Sequence, residues 1–374
     1  MACRVEDIVL LMEELAPLRY AEDWDNVGLL VGSPQAEVER ALVSLDATSE
    51  VVAEAGEMGA GLLVSHHPPV FRPMTRVMTD EPPGSLVKEA LVAGVALYAA
   101  HTNLDLCEVG VNVVLADMFG LRDHRPLESS PAAEGFKLVT FLPPQHLTPV
   151  SGALFRAGAG TIGDYTGCSF RVEGTGTFIP GPGSRPTYGE AGGPNEVGEI
   201  RLEVVVEKDG LERALKALLD SHPYEEPAYD VYPLRRSSTA GKGRIGELPE
   251  AMTVGDLVRR CSHELGTPIV RLAGDPLREV RRVAVCGGRG GELIPRAARA
   301  GAEVMITGDV VYHEALAAVA RGLAVIDAGH YHTERPIVPH LASLLTQRAG
   351  GAGLEVEVHI SGIDTYPWVN GGEK

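Results

Sequence analysis

The chain has 374 residues, with 33 basic side chains against 51 acidic ones and a formal charge of -18 with neutral histidines. That length exceeds one small core, so at least two domains are expected, and 44% hydrophobic against 22% charged residues excludes a disordered chain. The negative field, with no basic stripe interleaved with aromatics, argues against a nucleic-acid partner, and no apolar run is long enough for a membrane-spanning helix.

The opening MACRVEDIVLLMEEL mixes acidic and apolar positions and reads as an amphipathic helix rather than an export signal. Five scattered cysteines, Cys3, Cys107, Cys168, Cys261 and Cys286, make no CxxC pair and fit a reducing, cytoplasmic setting. Trp24, Asp25 and Asn26 follow an acidic turn and precede the apolar GLLVG segment. They offer either a stacking surface with polar contacts beside a cleft or a tryptophan seal over the first helix.

From residue 41 the pattern is strand ALVSLDA, helix SEVVAEAGEMG, strand GLLVSHH, helix SLVKEALVAG, strand VALYAAH and helix GVNVVLADMFG. Near the other end the same alternation returns as RRVAVCG, GELIPRAARAG, EVMITGD, HEALAAVARG, LAVIDAG, VPHLASLLTQR and LEVEVHI. Residues 42–67 align without a gap beside 284–309 at a constant offset, matching Glu50 to Glu292 and Gly59 to Gly301, which predicts two related lobes. Between them, residues 128–245 are rich in Gly and Pro before the strand-like EIRLEVVVE and the helix LERALKALLDSH. The expected organisation is a lobe at 1–127, an inserted α+β domain at 128–245 and a second lobe at 246–374, an α/β fold with two βαβ-containing lobes.

Three expected strand ends carry polar residues of one kind. VSHHPP delivers His66 and His67, AAHTNLD supplies His101 and Asp105, and DAGHYHTE supplies His330, His332 and Glu334. Adjacent side chains diverge in extended backbone, so His66 and His67 can serve two neighbouring ions, while a polar strand exit with neutral histidines needs no metal at all. His330 and Glu334 share a face if their segment begins a helix. Asp46 and Asp309, at equivalent exits, either orient the histidines or cap helices. This donor set suits zinc, manganese, iron or cobalt. Paired ions would make water a nucleophile, with Asp105 or Glu334 bridging or moving a proton. His101 and His332 are expected to support the ligands or to touch substrate, and GGRGGE at 287–292 either receives a phosphate or simply turns the chain.

At these residues the chain resembles the NIF3-like dinuclear-metal family, also called the GTP cyclohydrolase 1 type 2 homologue family. The blocks that carry the resemblance are WDNVGLLVG at 24–32, VSHHPP at 64–69, HTNLD at 101–105, ITGD at 306–309 and GHYHTE at 329–334. The resemblance implies His66, His67, Asp105, His330 and Glu334 as ligands of two divalent ions per subunit, in a homohexamer whose sites face an internal cavity. It further implies a PII/CutA-like insertion, matched around SHPYEEPAYDVYPL at 221–234. Water attack on the ring of a guanine nucleotide is the reaction the family name suggests. A phosphoesterase and a noncatalytic metal-binding or regulatory hexamer are the competing readings.

Overall fold

The computed structural model describes residues 3–130, 135–190, 192–234 and 239–369. The chain divides into two compact units, Met1–Ser130 with Thr239–Lys374, and Pro131–Ser238. Among the described residues no helix is long and apolar enough to cross a membrane.

The first unit is built on two mixed sheets. In the first, the order is Gly28–Val31, Ala96–Ala99, Leu62–Ser65, Arg40–Ser44 and Glu357–Ile360, with the first pair antiparallel and the others parallel. In the second it is Arg271–Ala273, Ala324–Asp327, Val304–Gly308, Glu279–Arg289, Gly241–Thr253 and Arg122–Ser129. There the three central strands run parallel and the outer pairings are antiparallel. Each sheet thus has an antiparallel strand beside three parallel ones in the same chain order, the repeat that the constant offset predicts. The inner strands LLVS, ALYA and AVID are buried at every position, as continuous apolar runs covered on both faces must be.

Helices cover these faces where apolar spacing and end signals allow. Val5, Ile8, Met12 and Leu15 fall on one side of the helix Val5–Leu15 and are buried. Thr48 starts the helix Ser49–Glu57 by accepting from Val51 N, and Thr253 does the same for Val254–Leu265, which ends at Gly266 with φ 64°.

The last strand, LEVEVHI in sequence order a continuation of the second lobe, joins the first sheet: Val358 pairs with Ala41 and Ile360 with Val43. The preceding helix Ile337–Gly351 explains this placement, because Ile337, Leu341 and Leu345 pack in the same apolar core as Ile8 and Met12. The second sheet in turn takes Arg122–Ser129 as its edge.

The second unit is α+β. Four antiparallel strands, Phe170–Phe178, Asn195–Glu207, Gly135–Leu142 and Tyr229–Leu234, lie in that order. Helices Leu147–Arg156 and Leu211–Ser221 supply Val150, Leu154, Ala214 and Leu218 to a core with Leu138, Leu202 and Val204.

Candidate metal centre

Three strand exits of the first unit converge. Leu62–Ser65 ends at His66 and His67, whose amides donate to Ser44 O and Leu45 O at 3.2 and 2.9 Å and so bind the exit to the neighbouring strand. Ala96–Ala99 leads to His101 and the short helix Thr102–Leu106 that carries Asp105. Ala324–Asp327 leads to the helix His330–Glu334, whose four-residue spacing brings His330 Nε2 to 3.1 Å from Glu334 Oε2.

Glu334 is the hub. Its Oε2 lies 3.0 Å from His67 Nε2, and its Oε1 3.9 Å from His66 Nε2, which is itself 3.7 Å from Asp105 Oδ1. The ligating atoms of His66, His67 and His101 lie within 4.8 Å of one another, as do those of His67, His330 and Glu334. Each group could hold an ion.

The second contacts of the rings make the fit specific. His66 Nδ1 donates to Ala100 O at 2.8 Å, His67 Nδ1 to Asp46 Oδ1 at 2.7 Å, His101 Nδ1 to Asp25 Oδ1 at 2.9 Å and His330 Nδ1 to Asp309 Oδ2 at 2.9 Å. Every one of these four histidines therefore has Nδ1 on an acceptor and leaves Nε2 for the centre, the arrangement that fixes tautomer and orientation in histidine–metal sites. His66 Nε2 and Asp105 Oδ1 are buried without a hydrogen-bond partner, whereas Glu334 Oε2 is shared between His67 Nε2 and His330 Nε2. Buried polar atoms are normally paired, so these two orphans 3.7 Å apart are what a divalent cation would satisfy, although Asp105 falls outside both three-residue groups.

The electrostatics agree. Burial works to lower the pKa of His67, but Asp46 and Glu334 outweigh it and raise it to about 10. Burial likewise opposes His330, which Glu334 and Asp309 raise to about 9. Burial would raise Glu334, yet His330, His66 and His67 hold its carboxyl well below the usual range. Asp105 is pushed up by burial, reinforced by Glu334 and opposed by His66. Without a cation, the cluster gathers protons around its carboxylates.

Beside the centre opens a cleft of about 430 Å³ lined by His67, His101, Asp105, His330 and Glu334, with Trp24, Phe71, Lys242 and Arg289 among the other walls. Trp24 is 57% exposed and its ring lies 5.7 Å from Phe71 and 6.1 Å from His101, an apolar rim above the histidines. Asp25 and Asn26 are engaged differently: Asp25 accepts from His101, Thr102 N and Thr102 Oγ1, and Asn26 Nδ2 donates to Val70 O. Asp25 is consequently lowered to about 2, its partners His101 and Thr102 outweighing the burial that would raise it. His332 lies on the other side of its helix, buried with its ring 4.7 Å from Tyr366; two residues along a helix turn a side chain away from the face of His330 and Glu334.

Several participants had no local signal. Phe71 sits in a proline-rich loop, and Lys242 follows the second unit in sequence, pairing with Glu22 at 2.8 Å and Glu292 at 3.2 Å. In GGRGGE, Gly288 has φ 59°, and a Cβ there would meet Glu334 Oε1 at 2.1 Å and His330 Nε2 at 3.1 Å. Its N donates to Thr333 Oγ1 at 3.0 Å. The run is therefore a close seat for the Glu334 helix, while Arg289 lines the cleft and pairs with Glu314 at 3.3 Å.

The family model Duf34/NIF3 (NGG1p interacting factor 3) matches residues 3–367. A Halalkalibacterium halodurans protein named GTP cyclohydrolase 1 type 2 homolog is 38% identical over 364 residues, covering 97% of this chain and 98% of its own. Among solved structures, a Bacillus cereus protein related to NIF3 is 37% identical with a TM-score of 0.77, covering 99% of this chain and 100% of that one. A Staphylococcus aureus protein is 30% identical with a TM-score of 0.83 and covers 99% of both. With the match running through all three strand exits and nearly the whole length, the chain belongs to the Duf34/NIF3 family.

Proposed function

We propose that the chain is a dinuclear, metal-dependent hydrolase. The observation that carries this reading is the pair of buried, unpartnered atoms His66 Nε2 and Asp105 Oδ1, 3.7 Å apart, beside the Glu334 carboxylate that faces His67 and His330 at the edge of an open cleft. His66, His67, Asp105, His330 and Glu334 would hold two divalent ions, with His101 close enough to join His66 and His67. Zinc, manganese, iron and cobalt all suit these nitrogen and oxygen donors. When bound, such ions supply Lewis acidity and lower the pKa of water enough to make it a nucleophile near neutral pH.

The chain's own residues would do the rest. Asp46, Asp309 and Asp25 hold three imidazoles in orientation. Asp105 and Glu334 are the carboxylates that can bridge the ions or take a proton from the attacking water. Trp24 and Phe71 offer apolar faces to a planar ring at the cleft rim. A guanine nucleotide is the candidate suggested by the relatives' name, with water attacking a ring carbon. A phosphoesterase is the second reading, favoured by Lys242 and Arg289 in the cleft walls.

Around this centre we read a cytoplasmic protein, in keeping with free Cys3, Cys107, Cys168, Cys261 and Cys286, that assembles as a homohexamer. Tyr312, Leu316 and Val319, exposed at helical spacing on Tyr312–Ala320, support self-association. We read the second unit as PII/CutA-like, with a role in oligomer contacts or small-ligand sensing. The functional test is to load the purified protein with each metal and screen guanine nucleotides and phosphate esters by product mass. Turnover should vanish in His66→Ala and Asp105→Asn; unchanged turnover in folded variants would refute the mechanism.

A further inference from the structure

The segment after the strand Glu357–Ile360 belongs to neither βαβ run, yet it is tied to the supports of the metal centre. Ser361 N donates to Val43 O at 2.9 Å, and Gly362 N and the Ser361 hydroxyl both donate to Glu54. Thr365 Oγ1 donates to Asp46 Oδ2, and the other oxygen of Asp46 accepts from His67 Nδ1 at 2.7 Å. Farther along the centre, Tyr331 OH donates to Asp364 Oδ1 at 2.7 Å, the same oxygen accepts from Tyr366 N at 3.1 Å, and the Tyr366 ring lies against His332.

These bonds reach the support of every member of one ligand group. His67 is reached through Asp46. His330 and Glu334 are reached through Tyr331 and His332, which share their five-residue helix. Asp309 on His330 and Gly288 N on Thr333 already hold this helix, and the contacts of Tyr331 and His332 add a further attachment. His66 and His101 are supported elsewhere, by Ala100 O and by Asp25. One half of the centre is therefore held without the C-terminal segment, and the other is braced by it in addition to Asp309 and Gly288.

We infer that residues 361–366 form a strap that keeps His67, His330 and Glu334 in ion-binding geometry, with Thr365 as a positioning residue acting through Asp46. The two ions then depend unequally on the strap: the one beside His67 and His330 is reached through both Asp46 and the helix, and the one beside His66 only through Glu334. The inference rests on the two-ion reading of the site.

The test is a titration of the full-length protein with Zn²⁺ against a competing chelator, following stoichiometry and stepwise affinity. Thr365→Val is expected to keep one ion at wild-type affinity and to bind the other about 10- to 100-fold more weakly, the usual effect of removing a group that orients a ligand. Thr365→Ser keeps the hydroxyl and should stay within about threefold of wild type. A general loss of packing would weaken both ions together, so selective loss separates positioning from structure. Two ions bound at wild-type affinity in Thr365→Val, while His67→Ala loses one, would overturn the strap alone. Two ions retained in His67→Ala would overturn His67 as a ligand and the strap with it, and fewer than two ions in the wild-type protein would overturn the two-ion reading itself.

Discussion

Glu334 is the side chain on which the site's chemistry turns, because three imidazoles and one further carboxylate surround it. Replacing it by Gln removes the charge that raises His67 and His330, so both should titrate below their metal-free values of about 10 and 9, as NMR of the ring protons would show. Affinity for a divalent ion should fall at least ~10-fold in the same variant. The sign of the pH effect follows from the raised values. At pH 7 the metal-free protein carries protons on His67 and His330, so ion binding must expel them. Affinity should therefore rise with pH up to about 9 and then level toward 10. Calorimetry in buffers of different ionisation enthalpy should report net proton release; proton uptake would contradict the assignment.

At the scale of elements, the centre depends on how closely strands and short helices meet. Gly288 sits where the strand Glu279–Arg289 passes Glu334, in a left-handed conformation with no room for a Cβ. Gly288→Ala should thus displace Glu334 and reduce metal retention about tenfold or more, by analogy with lost ligand orientation, while circular dichroism stays near wild type. The three histidine-bearing exits were legible in sequence because each is local: an apolar strand followed directly by its polar end. The helical pairing of His330 with Glu334 was legible for the same reason, and the same geometry turns His332 away toward Tyr366. What spacing could not reveal was contact across long separations. Gly288 meets Glu334, and Thr365 meets Asp46, only after strands from both βαβ runs have packed.

For the whole molecule, the repeated order of strands was visible as a constant offset, whereas the exchange of terminal elements was not. The strand Glu357–Ile360 completes the first sheet and Arg122–Ser129 edges the second, because helix burial rather than chain order decides where each fits. The second unit leaves and returns at neighbouring residues: Ser130 N donates to Ala240 O at 3.0 Å, and Ser129 pairs with Gly241. Excising residues 131–238 and joining the ends with a short Gly-rich linker should therefore leave a folded protein with wild-type metal content, checked by thermal melting and elemental analysis. A folded, metal-free product would show that the second unit takes part in ligation.

Anomalous diffraction from crystals grown with Zn²⁺ or Mn²⁺ tests the central claim most directly. Two peaks per chain are expected, one beside His66 and Asp105 and one beside His67 and His330, with Glu334 touching both. Fully occupied metal elsewhere in the chain, with none between these side chains, would contradict the account.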